Sequence, residues 1–326
     1  MSPEAPRGGG IGYIGINYIY STDLSISSSI KNIKYKFNIT DQCLDQFVQS
    51  NSNIRAEISQ KWLTPGAKKL KANVLDMQGN LGKWSEVTNV DIYVPILVNN
   101  SQDLQNEINR SSNYTEISLV DEEYNVGEVL IKRKNHLALK SGRSSTLLTG
   151  SQDVTARMTL DNSTFINISG FCLNRTNYGL MIDNCSHCRI RNNNIEFKHN
   201  GAGVLIKLGG YNTLENNTIK NKNHYNCSMI IIDRSNYNLL KNNTFRLFSP
   251  NIRFSHIWVI TPQLGNRIVR TNGMEELRIR MNGCIFTWGE SANKFTEFSQ
   301  SCSDTNITSA MDIIEDINQR ELIYAS

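Results

Sequence analysis

One stretch of the 326-residue chain limits what it can fold into. Between Thr164 and Phe248 four similar pieces recur: Ile166-Asn-Ile-Ser-Gly-Phe171, Ile190-Arg-Asn-Asn-Asn-Ile195, Leu214-Glu-Asn-Asn-Thr-Ile219 and Leu240-Lys-Asn-Asn-Thr-Phe245. Their first apolar residues are separated by 24, 24 and 26 residues. A second marker keeps the same step: Leu180-Met-Ile-Asp183, Val204-Leu-Ile-Lys207 and Ile230-Ile-Ile-Asp233. A period in the twenties marks stacked supersecondary units. Only about ten residues rich in Gly, Asn and Ser separate the markers, too few for an ordinary amphipathic helix. The alternation within Leu180/Ile182, Val204/Ile206 and Ile230/Ile232 is that of strands. Short strands and turns repeated in parallel register make a β-solenoid. Asn192, Asn216 and Asn242 fall at one position of successive coils. Asn tolerates left-handed turn geometry and its amide can bond along a stack, so an Asn ladder at a coil corner is expected.

The spacing and the I-x-N-N-x-[IF] rhythm resemble right-handed parallel β-helices of the pectin-lyase-like superfamily. The closest likeness is the NosD-type group, described as carbohydrate-binding and sugar-hydrolase β-helices. The resemblance covers roughly residues 100 to 290. It implies a fold and leaves the activity open, because this fold hosts lyases, hydrolases, epimerases, tailspikes and passive surface proteins.

The fold class read from the sequence is therefore all-β: a right-handed parallel β-helix of about seven coils, preceded by a β-sandwich and a short capping helix. The expected divisions are a disordered lead (1–10), the sandwich (11–98), the solenoid with its cap helix (99–300) and a C-terminal tail or cap (301–326). Residues 11 to 98 carry short alternating strands such as Ile33–Ile39 and Leu70–Asp76, separated by turn signals. The run Leu63-Thr-Pro-Gly66 through Gly79-Asn80, with Trp84 after it, resembles bacterial and archaeal immunoglobulin-like surface modules. That resemblance implies spacing or adhesion. In residues 99 to 112, Ser101 is the expected helix N-cap and Leu104/Ile108 an apolar pair one turn apart. A helix there covers the open first coil.

Composition narrows the partners. The net charge of +4 is spread along the chain, and no basic block with interleaved aromatics marks nucleic-acid binding. No apolar run reaches about 18 residues, so no transmembrane helix is expected. The N-terminus lacks a signal-peptide apolar region. Asn-x-Ser/Thr sequons abound, Asn113 and Asn306 among them outside the repeats. Sequons and solenoid together place the protein outside the cell or on its surface. Seven cysteines leave at least one unpaired. Cys185-Ser-His-Cys188 has C-x-x-C spacing, but a zinc or thioredoxin-like reading needs a second ligand pair or a strand-to-helix setting.

Chemistry, if present, belongs to one outward column. With Ile182, Ile206 and Ile232 pointing inward, their successors Asp183, Lys207 and Asp233 point outward in line, Asp161 before them and Thr261 after. Neighbours stand about 5 Å apart. Asp161 and Asp183 form a carboxylate pair able to hold Ca²⁺ or to split their pKa values. The competing account is an alternating charge ladder that steadies the sheet and discourages edge pairing. Tyr211 and Tyr237 occupy equivalent places and offer rings to a sugar, with Lys207 as a third binding candidate. His136 and His187 read as solvated turn residues. Polygalacturonase signature motifs are absent as a set, and Arg189-Ile-Arg191 only partly echoes one.

The functional expectation is a surface or secreted β-helix with a binding or structural role, contacting polysaccharide or an envelope component. It requires no cofactor and no resident metal. The first alternative is a polysaccharide lyase or glycoside hydrolase acting on an acidic glycan through Asp161, Asp183, Lys207 and Asp233. The second is a viral fibre or tailspike.

Overall fold

A computed structural model describes residues 5–23, 34–39, 45–49, 55–75, 82–151, 154–221, 228–247, 255–260, 266–272, 276–281, 284–291 and 294–301. The expected C-terminal cap, Gly79 and Asn80 of the module-like run, Thr261, and cysteines 43, 227 and 302 lie outside the described residues. The chain divides into two units, Met1–Pro95 with Tyr114–Glu116, and Ile96–Asn113 with Ile117–Ser326.

The first unit contains a sheet in which Asp45–Gln49, Lys34–Ile39, Gly66–Leu75, Thr88–Val98 and Gly10–Tyr13 pair in that order. The last pairing is parallel and the others antiparallel. Asn17–Asp23 and Arg55–Lys61 form a separate antiparallel ladder. Both contribute to one core of Tyr20, Ile58, Trp62, Leu70, Ala72, Val74, Val90 and Ile92. Trp62 donates its indole N–H to the Tyr20 hydroxyl at 2.9 Å, so the two largest rings bury their polar atoms paired. The lead, expected to be disordered, is tied down where it is described. Arg7 bridges Ser21, its N–H 2.7 Å from the Ser21 carbonyl.

The second unit is the solenoid. Its first sheet stacks Val129–Lys132, Ala156–Asp161, residues 178–183, residues 202–207, Ser228–Asp233, Ser255–Val259 and Glu276–Met281 in parallel. The second stacks Leu137–Ser141, Asn167–Ser169, Arg189–Arg191, Thr213–Glu215, residues 239–241 and residues 267–269. The third runs from Glu123–Asn125 through Thr146–Thr149, residues 171–173, residues 194–197, Thr218–Asn221 and residues 243–247. Three strands make a coil, and the stack has about six turns rather than seven. The parallel run then ends. Cys284–Ser291 pairs antiparallel with Glu276–Met281, and Lys294–Ser301 antiparallel with Cys284–Ser291.

Alternation places the core as expected. Met158, Leu160, Leu180, Ile182, Val204, Ile206, Ile230 and Ile232 are all buried in one cluster. The first coil is closed by the helix Ser101–Arg110, whose Leu104 and Ile108 join that cluster. Its N-cap is Asn100, whose side chain accepts from the Asp103 N–H at 2.9 Å. Ser101, the expected cap, instead accepts from the Asn125 N–H at 2.9 Å. Gln105 does what a neighbouring strand would do. Its amide accepts from Leu130 N at 3.0 Å and donates to Leu130 O at 2.8 Å, satisfying an otherwise open strand edge.

The corner after the second sheet corrects the expected Asn ladder by one residue. Asn192, Asn216 and Asn242 hold the left-handed turn, with φ of 57°, 55° and 54°. Their successors Asn193, Asn217 and Asn243 turn inward and are buried. The Asn193 amide donates to Asn217 Oδ1 at 3.0 Å, and Asn217 to Asn243 at 3.0 Å. Each Oδ1 also accepts the backbone N–H of the Asn one coil earlier, at 3.1 Å. In the preceding coil Gly170 takes the left-handed place and Phe171 the inward one. A second ladder, Asn212–Asn238–Asn266, runs along the corner between the first and second sheets. At the remaining corner the buried Arg157 guanidinium donates to the carbonyls of Val126, Thr149, Ser151 and Asn174, stitching three coils.

Replacing Asn217 with Ala leaves two donors of Asn193 without their acceptor in a buried corner, and should lower stability by about 2–4 kcal/mol. Asn216→Gly should be close to neutral, because its neighbour's turn needs only a left-handed residue; chemical denaturation of both variants checks the pair. By the same burial logic, Ile206→Asp should cost several times what Leu205→Ser costs, since Ile206 is buried and Leu205 half-exposed. Equal losses in thermal unfolding would invert the assigned faces.

Candidate functional site

The outward column is continuous in the structure. Lys132 pairs in register with Asp161, Asp161 with Asp183, Asp183 with Lys207, and Lys207 with Asp233. All five residues come from the last position of the first-sheet strands, where the side chain faces away from the core. Like charges meet at only one step, Asp161 beside Asp183, and each acid has a cation elsewhere. Lys132 Nζ lies 2.8 Å from Asp161, Lys207 3.5 Å from Asp183, and Arg234 3.1 Å from Asp233. The Lys132 ammonium, aided by the Asn162 amide, holds the Asp161 carboxyl below the usual carboxylate range against a smaller opposing effect of burial. On the second sheet Glu215 behaves alike. Arg189 at 2.6 Å lowers its pKa, and Lys241 at 3.6 Å helps.

Beside this column runs a stack of rings that the sequence reading only half saw. His136, Phe165, His187, Tyr211 and Tyr237 follow one another with ring centroids 4.5, 4.9, 5.2 and 4.9 Å apart. The planes deviate by no more than 21°. Every one of these residues is left-handed, with φ between 51° and 58°. That conformation costs about 1–2 kcal/mol for a residue with a Cβ, and it aims each ring outward from the corner onto the next. The clue was in the spacing. Tyr211 and Tyr237 stand three residues before Leu214 and Leu240; His187, Phe165 and His136 stand three before Ile190, Ile168 and Leu139. Stacking covers both faces of Tyr211, leaving its ring edge and hydroxyl rather than a face at the surface.

Two acids do not make a calcium site, since Ca²⁺ takes six to eight oxygens, and Lys132 and Lys207 already engage Asp161 and Asp183. Among the described residues no three His, Cys, Asp or Glu side chains converge on one point. The Cys185-Ser-His-Cys188 motif splits in two directions. His187 is exposed in the ring stack, whereas both cysteines are buried as free thiols beneath it. Cys172 is half-buried on the third sheet near Ser145 and Asn194.

Stacked parallel strands around a single apolar core, Asn ladders and outward columns define this unit as a parallel β-helix. Residues 127–255 match the family model described as "Periplasmic copper-binding protein (NosD)". Comparison with curated protein sequences gives no match. Among solved structures, an alginate lyase from Paenibacillus sp. str. FPU-7 is similar at 15% identity and a TM-score of 0.46, over 54% of this chain and 65% of that one. A family 28 exopolygalacturonase from Yersinia enterocolitica aligns at 11% identity and a TM-score of 0.34, over 86% of this chain and 76% of that one. A PKD domain of an M14-like peptidase from Thermoplasmatales archaeon SCGC AB-540-F20 aligns over 28% of this chain and 94% of its own, at 21% identity and a TM-score of 0.24.

The lowered pKa values of Asp161 and Glu215 set the sign of a pH effect. A carboxyl whose folded pKa is depressed contributes stability that is present above its unfolded value, about 4, and lost as pH falls through the folded one. The solenoid should therefore lose stability below about pH 4. Asp161→Asn combined with Glu215→Gln should flatten that acid limb in melting curves taken from pH 6 to pH 2.

Proposed function

We propose that this protein is a non-catalytic β-helix that binds polysaccharide along the corner formed by the charged column and the ring stack. The observation that carries the reading is the unbroken register from Lys132 to Asp233 beside five stacked rings, all fixed on rigid strands and corners. Coils repeat at about 4.8 Å, close to the length of one sugar unit in an extended chain. Successive sugars thus meet successive coils. Each coil offers an ionised group able to bond a hydroxyl, and an aromatic edge or tyrosine hydroxyl beside it.

The acids favour binding over turnover. A general acid needs a raised pKa to carry a proton at neutral pH, whereas Asp161 is held ionised by Lys132. Lys207 is engaged by Asp183 rather than left as a bare cation for a uronate. The abundant sequons and the periplasmic description of the matched family support a place outside the cytoplasm. No described helix is long and apolar enough to cross a membrane.

Lys207→Ala should weaken binding to the best ligand of a glycan panel about tenfold, the worth of one hydrogen bond to a charged group. For a uronate chain that loss should shrink in high salt; for a neutral chain it should persist. Unchanged affinity for every bound glycan would leave the column as a charge ladder. Release of reducing ends or unsaturated uronate by wild type, abolished in Asp183→Asn, would replace the binding reading with an enzymatic one.

A further inference from the structure

We propose that Tyr211 and Tyr237 are a site of oxidative modification, at which a peroxidase-type one-electron oxidant joins the two phenols as dityrosine and staples adjacent coils. The two rings lie face to face, with centroids 4.9 Å apart and planes 14° from parallel. Both are exposed, Tyr211 at 55% and Tyr237 at 46%. They stand 26 residues apart in the chain, and the register of the coils brings them together. Gly210 bridges Asn236, and the Tyr211 N–H donates to the Asn236 carbonyl at 3.0 Å. On the inner side, the backbone and side-chain N–H groups of Asn212 both donate to Asn238 Oδ1 at 3.1 Å. Bonds on either side of the rings thus fix one coil against the next. Both tyrosines also hold the same left-handed backbone, at φ of 58° and 54°. The pair is positioned before any oxidant arrives.

The electrons and atoms of the step balance. Each phenol gives one electron to the oxidant and its hydroxyl proton to solvent. Hydrogen peroxide, as the terminal acceptor, takes up both electrons and two protons and leaves as two waters. The unpaired electron of a phenoxyl radical spreads over the oxygen and the ring carbons ortho and para to it. The para carbon already carries Cβ, so the ortho carbons couple and one carbon–carbon bond forms between the rings. Each coupled carbon then loses its hydrogen as a proton while the adjacent oxygen regains one, which restores both phenols. The new bond develops along π orbitals, which project from ring faces. Stacked faces are therefore the geometry for coupling.

The surroundings make the pair selective. His187 covers the other face of Tyr211 at 5.2 Å. An imidazole gives up an electron less readily than a phenol, so within the stack a Tyr211 radical meets its partner radical at Tyr237. Tyr93 and Tyr114 are also in contact, at 5.7 Å, but edge to face at 64°. Tyr93 is buried, and burial pushes its pKa up to about 12, so its proton has no ready exit to water.

The test treats the dilute full-length chain with a peroxidase and limiting hydrogen peroxide. The monomer isolated afterwards should show the blue fluorescence of dityrosine. Trypsin, cutting after Lys207, Lys220, Arg234 and Lys241, leaves each tyrosine as the sole one in its peptide, residues 208–220 and 235–241. Mass spectrometry should find these two peptides joined, with two hydrogen atoms fewer than their sum. Tyr211→Phe and Tyr237→Phe should each abolish the joined peptide, whereas Tyr93→Phe should retain it. Phenylalanine fits this column, as Phe165 shows, so the first two variants keep the stack. The treated wild-type monomer should melt above the untreated one, and treated Tyr237→Phe should show no such shift, because a cross-link restricts the unfolded chain as a disulfide does. Dityrosine found only between molecules, or a treated monomer whose two peptides stay separate, would overturn the site. Full monomer fluorescence in both phenylalanine variants would do the same.

Discussion

The buried asparagine ladders are the interaction on which the solenoid depends. A coil must turn sharply at each corner, and a sharp turn takes backbone N–H and C=O groups out of the strand ladder. Left inside the core, such groups would each cost about 1–3 kcal/mol. Asn193, Asn217 and Asn243 meet the need with one residue type. Each accepts a backbone N–H on its oxygen and donates to a carbonyl one coil back, and Asn217 and Asn243 also accept the side-chain N–H of the Asn one coil earlier. The bond along the stack works only if the next coil carries the same residue at the same place. The ladder therefore enforces the repeat as well as the turn.

Strict register has a consequence for the outer surface. Whatever one coil exposes at a position stands about 4.8 Å from what the next coil exposes there. Charges must then be compensated within the column or by a flanking residue, as Lys132, Lys207 and Arg234 compensate Asp161, Asp183 and Asp233. Rings at one position must stack, and their left-handed backbone is offset by that stacking and by the corner hydrogen bonds around it. The charged column and the ring stack are thus by-products of the architecture.

Among the described residues the two ends of the stack are finished differently. At the start, the helix Ser101–Arg110 covers the apolar face and Gln105 satisfies the first strand's edge. At the far end the pattern changes direction, and antiparallel strands from Cys284 to Ser301 continue the first sheet. An antiparallel hairpin returns the chain beside itself without completing a coil, which ends the repeat without leaving a parallel edge at Glu276–Met281.

The amino-acid sequence alone determined the class of fold, the inward residues of the first sheet and the outward charged column. Each is a matter of period: a step of 24 to 26 residues between markers and alternation by two within them. Ile206 inward and Lys207 outward follow from those periods without coordinates. Part of the ring stack was legible by the same rule, since His187, Tyr211 and Tyr237 keep the step, whereas Phe165 and His136 depart from it and only the register places them in the stack. Tertiary structure decided what depends on side-chain direction at a turn. Of two consecutive asparagines, the first takes the left-handed turn and the second enters the core, and nothing in the pair Asn216-Asn217 says which. It likewise decided that His187 turns out while Cys185 and Cys188 turn in, because a residue's direction at a corner is set by its φ and by the coil beneath it, not by its neighbours in the chain.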